Sequence, residues 1–62
     1  MTADQLCIIT ETYGHDIVDS AFALWDGGWR PEDVDDAIIV YGEDVIEIFE
    51  AMRMMNDAGW FE

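Results

Sequence analysis

The chain has 62 residues, of which fifteen are Asp or Glu and only two, Arg30 and Arg53, are basic, giving a formal net charge of −13 with His15 neutral. That length holds a single domain, residues 1–62, and leaves little room for the scaffold that shapes a deep catalytic pocket. The charge argues against direct contact with nucleic acid or an anionic membrane, which repel it, and for a basic protein partner.

Sixteen residues are Leu, Ile, Val or Phe, about a quarter of the chain and above the roughly 20% below which a highly charged sequence stays disordered. The chain is therefore expected to fold. Cys7 is the one cysteine and has no internal partner, which points to a reducing compartment. No basic segment leads into an apolar run at the start, and no stretch approaches the roughly 20 apolar residues of a membrane span. A cytoplasmic protein without membrane contact is the expectation.

Glycines at 14, 27, 28, 42 and 59 and Pro31 divide the chain into four segments of helical length. The first opens on a capping box, with Thr2 as N-cap and Gln5 three residues on, aligns Leu6, Ile9 and Tyr13, and stops at Gly14. The second runs from about His15 to Asp26, with Ile17, Ala21, Leu24 and Trp25 inward and Asp16 in the first turn. The third begins at Pro31, which suits a first helical position, and places Val34, Ala37, Ile38 and Tyr41 on one face before Gly42. The β-branched run Ile38-Ile39-Val40 also suits a strand, but the polar alternation of a half-buried strand is missing. The fourth runs from about Glu43 to Ala58, with Val45, Ile48, Phe49, Met52 and Met55 inward and Gly59 at its end. The predicted fold class is all-α, about four short helices.

A shift of 28 residues superposes Tyr13-Gly14-His15-Asp16-Ile17-Val18-Asp19 on Tyr41-Gly42-Glu43-Asp44-Val45-Ile46-Glu47. With a three-residue insertion, Asp26-Gly27-Gly28-Trp29 then falls on Asp57-Ala58-Gly59-Trp60. Two similar helix hairpins packed together are expected, because neither could bury its apolar face alone.

Catalysis finds no constellation. Ser20 lies five residues from His15 on the same predicted helix, more than one turn away, and Cys7 between Leu6 and Ile8 reads as a small buried hydrophobe. No enzymatic activity is expected. The stretch Glu32-Asp33-Val34-Asp35-Asp36 lacks the alternating oxygens, the central glycine and the closing glutamate of a calcium loop. No metal site and no cofactor are expected.

What remains is the acidic surface. Glu43, Glu47 and Glu50 fall at helical spacing, Asp16 and Asp19 start a similar row, Glu32, Asp33, Asp35 and Asp36 crowd one end of the third segment, and Asp44 precedes the fourth helix. Like charges at such spacing cost tenths of a kcal/mol per pair, and surface ion pairs would relieve this cheaply. A charge of magnitude about 2–8 already secures solubility for a small domain. DNA carries one negative charge per about 1.7 Å of axis, so these ten residues are candidate phosphate substitutes for a basic groove. Ile39 and Ile46 fall off the inner stripes, while Trp29 and Trp60 sit in turns. These four are candidate apolar anchors of an interface, whether with a partner or in a homodimer.

The segment Tyr13-Gly14-His15-Asp16-Ile17-Val18-Asp19-Ser20-Ala21-Phe22, followed by Trp25-Asp26-Gly27-Gly28-Trp29, resembles the acidic helical segments of ArdA-type antirestriction proteins, which mimic DNA. In size and charge the chain is similar to small phage-encoded anti-CRISPR proteins. Both resemblances imply an inhibitor of a bacterial DNA-targeting defence system, working inside the host cell against a basic DNA-binding protein or nucleoprotein complex. A second resemblance competes. Phe22 to Met52, with Gly28-Trp29 before Pro31-Glu32-Asp33-Val34-Asp35-Asp36-Ala37-Ile38, looks like a ubiquitin-associated domain. It implies a small interaction module binding through an apolar patch near Trp29 and Trp60, although Gly27-Gly28-Trp29 replaces that family's usual Met-Gly-aromatic loop. An acidic antitoxin or assembly factor is a third possibility, and monomer and homodimer both stay open.

Overall fold

A computed structural model describes the backbone of residues 3–61 and the side chains of residues 7–61. Helix α1 spans Ala3–Tyr13, α2 His15–Asp26, α3 Val34–Tyr41 and α4 Val45–Asp57, with a 3-10 turn at Pro31–Asp33 before α3. No strand occurs among the described residues, so the fold is all-α. The expected capping box of Thr2 and Gln5, and the inward place of Leu6, lie outside the described side chains.

The helices pack as two hairpins, α1 on α2 and α3 on α4, joined chiefly through α2 against α4. Helix α4 touches every other described element, whereas the backbones of α2 and α3 do not come together. The core follows from that arrangement. Ile9 of α1, Val18 and Ala21 of α2, Ala37 of α3, and Val45, Phe49, Met52 and Met55 of α4 are buried together. Met52 and Met55 are the largest side chains fully removed from solvent. Unbranched thioethers suit this place, where two short hairpins leave an irregular gap to fill.

The repeat recurs in the backbone. Gly14 and Gly42 have φ of 90° and 92° with ψ of 160° and 178°, a region essentially reserved for glycine. Each closes the helix before it, with its N–H donating to Thr10 O at 2.7 Å and to Ile38 O at 2.8 Å respectively. Helices α2 and α4 then end alike. The Trp29 N–H reaches Leu24 O and the Trp60 N–H reaches Met55 O, both at 3.0 Å, and Gly28 and Gly59 take positive φ one residue earlier. Both ends are Schellman motifs, in which an orphan helix carbonyl is capped and an aromatic is folded back onto the helix.

Three expectations are corrected. Pro31 opens a 3-10 turn rather than α3 itself, because the Asp33 carboxylate accepts the Arg30 N–H at 3.0 Å and holds the turn as a separate step. Helix α4 begins at Val45, not Glu43. Bonds from Val45 N–H to Gly42 O and from Ile46 N–H to Glu43 O tighten that entry, so Glu43 stands in the turn and off the helical row. The expected inward place of Tyr41 is not found: it is 57% exposed, with its ring edge-on to Trp29 at 5.9 Å rather than within the core. Val18 and Ala51 are buried as well, because α2 and α4 each meet neighbours over a wider arc than one stripe.

Replacing Met52 with Ala is expected to cost about 2–5 kcal/mol. A chain of this length has roughly 3–9 kcal/mol of stability in all. The variant should melt at least about 8 °C below the wild type by far-ultraviolet circular dichroism, while Ile39→Ala, at an 83% exposed position, keeps the wild-type melting temperature.

Candidate functional site

Every acidic side chain among the described residues is exposed except Asp33, and no buried charged group occurs among them. Asp33 is half-buried and its carboxylate is engaged by the Arg30 backbone, which removes it from the set of free phosphate substitutes. Asp16, Asp19, Glu32, Asp35, Asp36, Glu43, Asp44, Glu47 and Glu50 all face solvent. No ion pair forms among the described residues.

Arg30, one of the two cations, is spent on structure. Its guanidinium donates to Trp25 O at 3.1 Å and to Trp29 O at 2.8 Å and lies 3.9 Å from the centroid of the Trp25 ring. There it caps the negative end of α2. Arg53 is exposed on α4, at the edge of a small depression that also meets Ile46 and Glu50.

The structure brings four of the candidate acids to one place. A shallow depression of about 800 Å³, where the end of α1 and the start of α2 face the start of α4, is bordered by Glu43, Asp44, Glu47 and Glu50. Ile17 and Ile46 lie within the same depression. Although Glu43 is off the helix, the turn returns it to the rim that Glu47 and Glu50 define. Asp16 and Asp19 lie along α2, while Glu32, Asp35 and Asp36 ride on the 3-10 turn and α3; none of these five borders the depression.

The four candidate anchors separate into two kinds. Ile39 is 83% exposed and Ile46 40% exposed. Trp29 and Trp60 are both half-buried, each beside a more exposed aromatic, Tyr41 and Phe22 respectively. Trp29 is half-buried and packs edge-on against Tyr41 and Phe49. Trp60 stacks on Phe22 at 5.7 Å, and neighbouring Phe61 stacks on Trp25 at 3.9 Å between centroids. The Schellman turns explain this, because the residue after the positive-φ glycine is folded inward. The sequence reading missed instead that Val40 and Tyr41 join Ile39 as an exposed run. A signal was present: four consecutive apolar residues on an eight-residue helix cannot all be covered from one side.

Cys7 is exposed rather than buried as its apolar neighbours suggest, and its Sγ lies 3.6 Å from Glu11 Oε1 one turn on. The Glu11 charge, helped by that hydrogen bond and slightly by desolvation, pushes the thiol above its ordinary range, so the reactive thiolate is scarce. No group of three or more potential metal ligands converges among the described residues. No described helix is long and apolar enough to cross a membrane. No family model, curated protein or solved structure matches the chain.

Two measurements test this surface. Raising NaCl from near zero to 0.3 M should increase the melting temperature by about 4–8 °C, equivalent to about 1 kcal/mol of relieved repulsion; a fall would mean that the charges are compensated. At pH 8, Glu11→Gln should make Cys7 react faster with iodoacetamide, since losing the neighbouring charge lowers the thiol pKa and raises the thiolate fraction.

Proposed function

We propose that this chain inhibits a bacterial DNA-targeting defence system, a CRISPR effector or a restriction enzyme, by acting as an acidic mimic of DNA in the basic groove of that protein. The observation that carries the reading is the exposed carboxylate surface left without ion pairs, with Glu43, Asp44, Glu47 and Glu50 gathered around one depression. Dimensions support it. The molecule measures 33 × 21 × 15 Å, and one turn of B-form DNA is about 34 Å long. A charge of −13 over 33 Å is about one per 2.5 Å, the same order as the one per about 1.7 Å of duplex DNA.

The mechanism is occupancy. Lys and Arg side chains that ordinarily meet phosphates would meet these carboxylates, releasing counterions and giving fast, salt-dependent association. Rigid helices hold the carboxylates in place before binding, so little ordering entropy is lost. Ile17 and Ile46, inside the depression, supply apolar contact that phosphates lack and so favour one groove over others.

The test is capture on the immobilised chain from nuclease-treated bacterial lysate, with elution by a salt gradient and by duplex DNA. A DNA-handling protein released by moderate salt and displaced by its own DNA is expected. Changing Glu43, Glu47 and Glu50 together to Gln should weaken that complex at least tenfold while raising the melting temperature of the free protein. Unchanged affinity removes this face from the mechanism, and a partner with no nucleic-acid site, held through high salt, overturns the reading.

A further inference from the structure

Helix α3 has one helix beside it, besides the 3-10 turn that leads into it and the Trp29 ring against Tyr41. It lies on α4 and does not approach α2, yet its last turns read Ile38-Ile39-Val40-Tyr41, apolar around the whole circumference. Ile39, Val40 and Tyr41 are 83%, 63% and 57% exposed. Three consecutive bare apolar residues are a liability for a free protein unless something covers them.

Beside this run the gap between α2 and α3 forms a cleft of about 310 Å³, with Ala23 and Leu24 on one wall, Tyr41 on the other and Val45 and Ile48 toward α4. That volume is at the small end of ligand sites and accommodates one or two large apolar side chains. Tyr41 belongs to both the cleft and the exposed run, which makes them one continuous surface. Its edges are acidic. Asp44 borders the cleft directly. Asp16 and Asp19, both exposed, stand one helical turn before Ser20 and Ala23 of the cleft wall. Asp35 and Asp36 stand one turn before Ile39 and Val40 on α3.

The geometry points to a docking site for a basic amphipathic helix of another protein, its apolar side chains seated in the α2–α3 cleft and along Ile39 and Val40, and its Lys and Arg side chains on Asp16, Asp19, Asp36 and Asp44. Charge selects this occupant over a second copy of the chain. A self-interface here would set these same carboxylates against their own images, well inside the roughly 8 Å screening length of physiological salt. A helix with basic flanks reverses the sign of every one of those terms. An apolar stripe on a helix also matches a groove between two helices, a recurrent mode of recognition. The site shares Asp44 and Ile48 with the acidic depression but is not lined by Glu43, Glu47 or Glu50, so its apolar half stands whether or not the partner handles nucleic acid.

The experiment uses an 18-residue helical peptide with Leu at every third or fourth position and Lys elsewhere, and an oligolysine of equal length as the charge-only probe. Backbone amide shifts of the whole labelled chain map each contact, and titration gives affinity. The Leu/Lys peptide is expected to move Ala23, Leu24 and Ile39 to Val45, and to bind at least tenfold more tightly than oligolysine. The double variant Ile39→Ser, Val40→Ser, with both changes at solvent-facing positions, should lose at least tenfold in peptide affinity with an unchanged melting temperature and unchanged oligolysine binding. Tyr41→Ser provides a second probe of the cleft wall with the same expected loss. Equal affinity for the two probes, undiminished peptide binding by these variants, or shifts confined to the Glu43–Glu50 depression would each overturn the proposal. So would a dimer in sedimentation at 0.15 M NaCl that the double variant abolishes.

Discussion

Everything in this molecule hangs on α4. A 62-residue chain with no disulfide among its residues has to find its stability in one small core, and α4 is the element against which α1, α2, α3 and the 3-10 turn all rest. Val45, Phe49, Ala51, Met52 and Met55 are buried along it, so its inner face is covered from entry to exit. The consequence is geometrical as well as energetic. Because α2 and α3 meet α4 but not each other, a cleft opens between them, and because α3 has only one helix beside it, with the 3-10 turn and the Trp29 ring at its ends, Ile39 and Val40 stay bare. The core and the uncovered surface are products of the same packing choice.

The helix ends were the most legible part of the sequence. Gly14 and Gly42, read as stops in a 28-residue repeat, prove to share one glycine-only conformation. Asp26-Gly27-Gly28-Trp29 and Asp57-Ala58-Gly59-Trp60 prove to share one Schellman turn. These are local features, fixed by backbone conformations that few other residues adopt, so they survive any rearrangement of the tertiary structure. The inward positions of α4 were legible for a related reason: a long, strongly periodic segment has only one apolar stripe to bury.

What the sequence did not reveal depends on which helix lies beside which. Tyr41 has the spacing of a core residue relative to Val34, Ala37 and Ile38, yet it ends exposed, resting against Trp29 rather than in the core. Trp29 and Trp60, being in turns, look fully available from spacing alone; the turn type folds each back and leaves it half-buried. The split among the acids is likewise tertiary. Glu43, Asp44, Glu47 and Glu50 share a depression with Ile17 and Ile46, residues from helices whose proximity no single-segment pattern contains. Asp33 looked equivalent to its acidic neighbours, and a single bond to the Arg30 N–H makes it a structural cap.

Charge and apolar exposure pull this protein in opposite directions, and their coexistence limits what it can bind. Exposed carboxylates of one sign repel one another within a copy and between copies, while Ile39, Val40 and Tyr41 stand exposed among them. The same carboxylates repel any anionic ligand from those apolar residues. A partner that satisfies both halves of the surface must carry apolar and cationic groups together, a combination that proteins offer and that nucleic acids and anionic membranes do not. The acidic depression and the bare face of α3, joined through the cleft that shares Asp44 and Ile48 with the depression, therefore impose the same condition on a partner. A basic groove edged by an exposed amphipathic helix could engage both at once, and the two contacts would then gain from each other by raising effective concentration at the second site.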